Sequence, residues 1–323
     1  MSSRSNDNGR AYEYIFINVL CQEINKFRQA TITENSSLEA AKNAWETLTD
    51  EQQYLYTISA QAGIITIFEM EPLLTENGLD ELTLFIQKDG CGEDGDVRDI
   101  VIIRSSIQWE IGLSLKHNHF AVKHSRLSPS IDFGQKWLGI PCSQTYKNEI
   151  KPVFDFMKEA QSKQVKFRDI PNKADIIYLP ILKAFMNELK RLYDKNNDVA
   201  GRLVEYLLGK FDFYKIISID NRHLTNVQGF NLHGTLNKPS KEKLPERPVP
   251  VAYLPTRILY MGLNEITPRK SMQDTIELCM DNGWQFTFRI HNAETYVKPT
   301  LKFDVQIIGM PTAIISIESL WTY

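Results

Sequence analysis

Apolar and polar residues alternate strictly along residues 108–116, and this pattern predicts a β-strand with one packed face and one polar face. The stretch just before it, residues 100–103, is apolar on both sides, which is typical of a strand inside a sheet. The two segments therefore predict a pair of neighbouring strands. One side of the second strand carries Trp109, Ile111, Leu113 and Leu115, and the other carries Gln108, Glu110, Gly112, Ser114 and Lys116.

Helical spacing of apolar residues predicts an opening helix at about residues 10–28 and a second helix at 51–68. Later helices are predicted at residues 146–164, 179–194 and 199–208, and strands at 214–220, 256–263, 284–290, 302–308 and 313–317. These patterns indicate an α/β fold with a mixed central sheet flanked by helices. We predict a single unit over residues 1–323, with a catalytic core at about 90–126, a helical insertion at about 143–210 and a β-rich portion at about 213–317.

Candidate chemistry lies on the polar face of the predicted strand pair. Asp99 stands at the mouth of the first strand, and Glu110 and Lys116 follow on the second. Two carboxylates on paired strands can share one hard cation such as Mg²⁺, with Ser114 completing the ligands. Lys116 would then orient or deprotonate an attacking water and counter the charge of a phosphate. This grouping favours phosphodiester hydrolysis, although an acid and a lysine at strand ends are also everyday surface features.

Positive charge is concentrated just after the second strand, in a chain whose net charge is −3 and whose pI is about 6.1. That balance argues against a protein that coats DNA regardless of sequence, because such binding needs many cations on phosphates. A locally basic cleft remains compatible, and a solvated charged turn is the alternative. Three adjacent positions, 117–119, cannot converge on one metal as an HNH nuclease motif would require. The basic run consists of Lys116, His117, His119, Lys123, His124 and Arg126.

The composition, with 42% hydrophobic and 24% charged residues, is that of an ordinary globular protein. Its apolar runs are far shorter than the roughly 20 residues that a membrane span requires, and we expect a cytoplasmic protein with no membrane partner. The four cysteines are scattered without the close spacing of zinc sites, so reduced thiols are predicted.

The strand pair resembles the core of the PD-(D/E)xK nucleases, whose pattern is an Asp opening one strand and a Glu-x-Lys on the next. Ser114 stands where that pattern has an acid, which leaves the second metal carboxylate open between Glu110, Glu13 and Asp96. Residues 109–128 look very like the HaeIII-type restriction endonucleases. Three further segments agree, at residues 9–15, at 95–103, and at 288–293 followed by 301–305.

This resemblance implies a prokaryotic type II endonuclease that uses Mg²⁺ and cuts double-stranded DNA at GGCC between the central G and C. A palindromic site favours a homodimer, with a monomer that nicks each strand in turn as the alternative. A cognate DNA methyltransferase would be a functional partner. Arg289 would read a guanine edge, although it could instead pair with Glu294. The expected DNA contacts are Arg98, His117, His119, Lys123, Arg126, Arg289, His291 and Asn292.

Two other functions remain open on the sequence. Because Ser114 replaces an expected acid, the chain could be a sequence-specific DNA-binding protein on a nuclease-like scaffold that does not cut. It could also be a metal-dependent hydrolase of small phosphorylated molecules, which would need neither the basic run nor Arg289. Magnesium-dependent cutting of plasmid DNA separates the endonuclease from both.

Overall fold

The computed structural model describes residues 2–88, 95–118, 122–263, 274–292 and 294–322. The chain forms two compact units. The first unit contains residues 1–120, 209–252 and 312–323, and the second contains residues 121–208 and 253–311.

A mixed seven-stranded sheet is the centre of the first unit, in the order β1-β2-β3-β4-β6-β7-β12. The pairs β1/β2 and β4/β6 are parallel and the other neighbours are antiparallel. The strands are β1 (Ala30–Ile32), β2 (Leu82–Ile86), β3 (Ile100–Arg104), β4 (Trp109–His117), β6 (Phe213–Ile219), β7 (Leu224–Phe230) and β12 (Ser316–Leu320).

The helices of this unit are α1 (Ser2–Ile24), α2 (Ser36–Glu46), α3 (Asp50–Met70) and α4 (Pro72–Thr75). Helix α3 begins at a capping box, in which the Thr49 hydroxyl accepts from the Gln52 N–H and the Gln52 side chain accepts from the Thr49 N–H. Tyr12 and Phe16 of α1 belong to the same buried cluster as the apolar side of β4. Because these helices cover one face of the sheet, the polar side of β4 lies on the other face.

A buried carboxyl group joins α3 to the sheet. The Glu71 Oε1 accepts hydrogen bonds from the Tyr214 hydroxyl and the Asn237 N–H, each at 2.6 Å. Burial raises the pKa of Glu71 to about 7, although these two hydrogen bonds oppose the rise. The folded chain therefore holds a proton on Glu71 at pH values where an exposed glutamate has lost it.

The free energy of unfolding is expected to fall as pH rises through the window between about 4.5 and 7. The folded state binds more protons than the unfolded chain in this window, so raising the pH favours unfolding. The raised pKa corresponds to roughly 3 kcal/mol. Glu71→Gln cannot ionise and should flatten this part of the profile in urea denaturation. The exposed Glu46→Gln serves as control, and equal slopes for the two variants would contradict the prediction.

An antiparallel five-stranded sheet, in the order β5-β11-β10-β9-β8, is the centre of the second unit. Phe185, on a helix, packs against Phe288 and Phe303 of the sheet with ring centroids 5.9 and 5.0 Å apart. One face of the sheet is thus buried and the other is largely polar. The elements are β5 (Lys123–Leu127), β8 (Ile258–Leu263), β9 (Thr275–Met280), β10 (Gln285–His291), β11 (Leu301–Gly309), α5 (Gln144–Ser162), α6 (Leu179–Lys195) and α7 (Val199–Leu208).

The predicted α/β class and the five predicted helices are confirmed, the opening helix with bounds shifted towards the N-terminus. Helices α2 and α4 and strands β1, β2, β5, β7 and β9 were not predicted, and β12 begins three residues after the predicted strand at 313. The predicted β-rich portion is divided between the two sheets, since β6, β7 and β12 complete the first sheet while β8 to β11 belong to the second.

None of the helices in the described ranges is long and apolar enough to cross a membrane.

Candidate active site

The antiparallel hairpin of β3 and β4 carries the predicted site. The strands are joined through a short 3-10 turn at Ser105–Ile107, and their register pairs Ile100 with Leu113 and Arg104 with Trp109. The predicted alternation is confirmed, because the side chains on one side of β4 are buried in the core of the first unit. These are Trp109, Ile111, Leu113 and Leu115.

Asp99, just before β3, is the acceptor at the centre of a group of donors. Its Oδ2 accepts hydrogen bonds from the Leu115 N–H at 2.6 Å, the Lys116 ammonium at 3.1 Å and the Ser114 hydroxyl at 3.2 Å. The side chains of Asp99 and Lys116 keep 24% and 27% of their surface exposed. The structure thus brings the predicted carboxylate and lysine together where solvent and substrate can reach them.

Arg98 binds the two other acids of the hairpin. Its guanidinium donates to both Asp96 oxygens and to Glu110 Oε1, each at 2.8 Å, and lies 4.0 Å from the centre of the Phe211 ring. Burial opposes ionisation of Asp96, yet the hydrogen bonds from Arg98 hold the pKa of Asp96 below its usual range. The expected direct contact of Arg98 with DNA is not supported, because the Arg98 side chain is enclosed by these partners.

Glu110 does not join Asp99 in this arrangement. Glu110 lies opposite Ile103, whereas Asp99 lies beside Ser114. The positions of Glu110 and Ser114 are about 13 Å apart along β4, at roughly 3.3 Å per residue. The expectation that these two carboxylates share a cation is therefore corrected, and Asp96 is likewise held by Arg98. Glu13 is on α1, which packs on the apolar face. Within the described ranges, no three His, Cys, Asp or Glu side chains are grouped so that they could hold a metal ion.

His117, at the end of β4, contacts other residues of the first unit through both ring nitrogens. Its Nε2 lies 2.8 Å from Asp220 Oδ2, and its Nδ1 lies 3.2 Å from the Tyr56 hydroxyl. Asn118 also donates to Asp220 Oδ2, at 2.9 Å. The expected contact of His117 with DNA is not supported, because these partners already occupy the ring. His119 lies outside the described residues.

Lys215 also belongs to this face of the sheet, although the sequence analysis did not select it. Strand β6 runs parallel to β4 and pairs Lys215 with Ser114. Burial, with a smaller contribution from the nearby charge of Lys116, lowers the pKa of Lys215 to about 7. The available signal was a single charged residue inside a mostly apolar strand, since a lysine is rarely buried without a reason.

Known proteins are similar to this chain over nearly its whole length. The family model described as HaeIII restriction endonuclease matches residues 9–311. The chain belongs to the HaeIII restriction endonuclease family. It is 52% identical over 322 residues to the type II restriction enzyme HaeIII of Haemophilus aegyptius, covering 99% of each chain. No solved structure matches this chain. The hairpin with Asp99 and Lys116 therefore lies in a member of an endonuclease family.

The second unit of this family member carries the other expected DNA contacts. Arg126 is exposed on β5, and Arg289 is 54% exposed on β10 with its Nη2 3.5 Å from Asp304 Oδ2. His291 is partly exposed, and its Nδ1 lies 2.9 Å from the Asn292 carbonyl oxygen. These side chains can still meet a ligand.

Two residues that were expected to contact DNA already bind other residues of the second unit. Lys123 donates to the Tyr206 carbonyl oxygen at 2.6 Å and lies 3.8 Å from the centre of the Tyr206 ring. Asn292 accepts from the Tyr178 hydroxyl at 2.9 Å and donates to the Glu294 carbonyl oxygen at 2.8 Å. Direct contacts of Lys123 and Asn292 with DNA are therefore not supported, since these bonds would first have to break.

Proposed function

We propose that this endonuclease hydrolyses both strands of DNA at GGCC, between the central G and C. The observation that carries the chemistry is the contact of the Lys116 ammonium with the Asp99 carboxylate on paired strands of the first sheet. The recognition sequence rests on the resemblance to the HaeIII-type enzymes. The 52% identity over nearly the whole chain supports it.

Asp99 and Ser114 offer oxygen atoms that fit Mg²⁺. The three donors on Asp99 all bind Oδ2, and within the described ranges no donor lies on Oδ1. Mg²⁺ commonly takes one or two carboxylates and completes its shell with waters and substrate phosphates, so a single carboxylate beside a hydroxyl is sufficient. When bound, Mg²⁺ would neutralise charge on the phosphate and lower the pKa of a water. Glu110 and Asp96 are not needed as ligands in this proposal.

The residues of the chain then have separate tasks. Lys116 orients the attacking water and donates to the phosphate, and Asp99 holds its ammonium in place. The Ser114 hydroxyl and the Leu115 N–H fix the Asp99 carboxylate from the side of β4. The buried face of β4 keeps these groups rigid, because its side chains are packed into the core.

DNA binding is proposed for the polar face of the second sheet. The register places Arg126, Lys302 and His291 side by side on β5, β11 and β10. Such a row of nitrogen donors suits phosphate oxygens. Arg289 lies in the next row of the same face, and its two-pronged guanidinium suits guanine O6 and N7.

GGCC reads the same on both strands, so a homodimer with a two-fold axis would present one site to each strand. A monomer that cuts the strands in turn is the alternative, and light scattering of the DNA-bound protein separates the two. We also propose that the protein acts in the prokaryotic cytoplasm, where a cognate methyltransferase protects the GGCC sites of the host.

Digestion of a fully mapped plasmid by the purified protein with Mg²⁺ tests the proposed function. We expect fragments that end at every GGCC with blunt ends, and no cutting in EDTA. Cuts at another sequence would overturn the recognition site. Specific retention of GGCC duplexes without any cutting would instead identify a DNA-binding protein on a nuclease-like scaffold.

Arg289→Ala is expected to weaken binding to a GGCC duplex by roughly 1–3 kcal/mol, with a far smaller loss on an unrelated duplex, because a lost base contact reduces discrimination. Arg126→Ala is the matched control on the same sheet face. It should weaken both duplexes alike and reduce the salt slope by about one. Paired titrations at two salt concentrations, with Ca²⁺ in place of Mg²⁺, measure both effects. Equal losses of Arg289→Ala on both duplexes would exclude base reading.

A further inference from the structure

Gln87, which directly follows β2, contacts the segment that carries Asp99 in two ways. Its backbone N–H donates to the Asp99 carbonyl oxygen at 2.9 Å, which continues the pairing of β2 with β3 by one residue beyond Ile86 and Ile100. Its side-chain amide donates to the Arg98 carbonyl oxygen at 3.1 Å. One residue after β2 thus holds both residues that lead into β3.

The peptide group between Arg98 and Asp99 is held at both of its polar atoms. The Asp99 N–H donates to the Leu113 carbonyl oxygen of β4 at 2.7 Å, and the Arg98 carbonyl oxygen accepts from the Gln87 amide. This peptide group lies just before β3, which begins at Ile100. Turning it would change the φ angle of Asp99 and would swing the Asp99 carboxylate, so the Gln87 amide helps to fix the direction of that side chain.

The turn before Asp99 is fixed by further contacts of the same residues. The Gln87 amide also binds the Asp96 carboxylate, and Asp96 Oδ1 accepts from the Arg98 N–H at 3.1 Å. A change of the Gln87 side chain leaves this bond and the Gln87 N–H bond to Asp99 in place. Loss of the amide should therefore loosen the Asp99 segment without unfolding it.

The Asp99 carboxylate depends on its exact position. Its Oδ2 accepts from the Leu115 N–H, the Lys116 ammonium and the Ser114 hydroxyl at distances of 2.6 to 3.2 Å. In the proposed mechanism it also binds the cation. A displacement of a reacting group by about 1 Å can slow a reaction by roughly a hundredfold.

We propose that Gln87 is a positioning residue, which holds the Asp99 carboxylate in place towards both Lys116 and the divalent cation. It acts through the Arg98 carbonyl oxygen, and its own side chain needs no contact with the cation or the DNA. This inference rests on the proposed function, because it concerns the same site.

Gln87→Met, which keeps the length of the side chain and removes the donor, tests the proposal. Its single-turnover cleavage of GGCC-containing DNA should be roughly 10–100-fold slower than that of the wild type. Calorimetric titration of its duplex complex should show Ca²⁺ binding that is weaker by about tenfold. Duplex affinity at saturating Ca²⁺ should stay within about twofold, because no DNA contact is lost.

Gln53→Met is the matched control. Gln53 of α3 is also partly buried and donates to the Trp45 carbonyl oxygen at 3.1 Å, so the variant removes a hydrogen bond of the same kind and length. Both variants should show similar small losses in thermal unfolding. Gln53→Met should cut DNA and bind Ca²⁺ as the wild type does.

Near wild-type cutting by folded Gln87→Met overturns the proposal. Slower cutting with unchanged Ca²⁺ affinity also overturns it, since Asp99 would then have kept its place. Equal slowing by Gln53→Met would show a general loss of stability and has the same consequence. Gln87→Asn, whose amide is one methylene group shorter, should behave as Gln87→Met and decides if Gln87→Met does not fold. Failure of both to fold beside a folded Gln53→Met would make Gln87 a structural residue and overturn the proposal.

Asp99→Ala is measured beside these variants to separate this inference from the proposed function. Wild-type cutting by Asp99→Ala would contradict the proposed active site, and the role of Gln87 would fall with it. Lost cutting in Asp99→Ala together with wild-type cutting in Gln87→Met would overturn the positioning role alone.

Discussion

Lys116→Ala and Asp99→Ala should each slow the cutting of GGCC-containing DNA by roughly 10²–10⁴-fold or more, while binding to the same duplex stays measurable. Lys116→Ala removes the group that orients the water and meets the phosphate. Asp99→Ala removes the carboxylate that holds the Lys116 ammonium at 3.1 Å and would bind the cation. Single-turnover cleavage with Mg²⁺ and duplex binding in Ca²⁺ measure the two properties separately.

The matched control for these variants is Lys302→Ala, which removes a lysine from the second sheet. It should reduce DNA affinity and leave the single-turnover rate at saturating protein close to that of the wild type. Near wild-type cutting by either Lys116→Ala or Asp99→Ala would show that the active site lies elsewhere in the chain. Loss of DNA binding in both, together with lost folding, would instead point to a structural role of the pair.

Gly112→Ala is expected to destabilise the protein by roughly 2–4 kcal/mol and to lower cleavage. Gly112 lies between Glu110 and Ser114 on β4, and the Arg98 side chain passes directly over it. A Cβ at this position would lie 1.8 Å from Arg98 Cδ and 2.4 Å from Arg98 Cγ. These atoms are near the backbone of Arg98, so the whole side chain must leave and its ion pairs with Asp96 and Glu110 must break.

Urea denaturation measures this effect, with Gly9→Ala as control. Gly9 is in α1 and has nothing within 4 Å of an added Cβ, so alanine there should stabilise by up to about 1 kcal/mol. A double-mutant cycle identifies the cause, since Gly112→Ala should cost much less once Arg98→Ala has removed the clashing side chain. An unchanged cost of Gly112→Ala in that background would show that the contact with Arg98 is not responsible.

The hairpin and its two main residues could be predicted because their pattern is local. Strict alternation over residues 108–116 separates a packed from a polar side whatever the sheet around it, and it places Lys116 on the polar side. Asp99 was selected because it directly precedes the apolar segment at residues 100–103. The helices α3, α6 and α7 were predicted for the same reason, since their apolar spacing repeats within a few turns.

The other features depend on contacts between distant segments. Sequence alone placed Glu110 and Asp99 on one face, but the pairing register and the rise along β4 separate their carboxylates, and Arg98 then binds Glu110. Lys215 comes from a strand about a hundred residues later and reaches Ser114 only through the parallel pairing of β4 with β6. The sequence by itself determined which short segments form strands and helices and which residue types lie on their polar sides. Tertiary structure alone decided which of these side chains meet, because sheet order and register are set by packing over the whole chain.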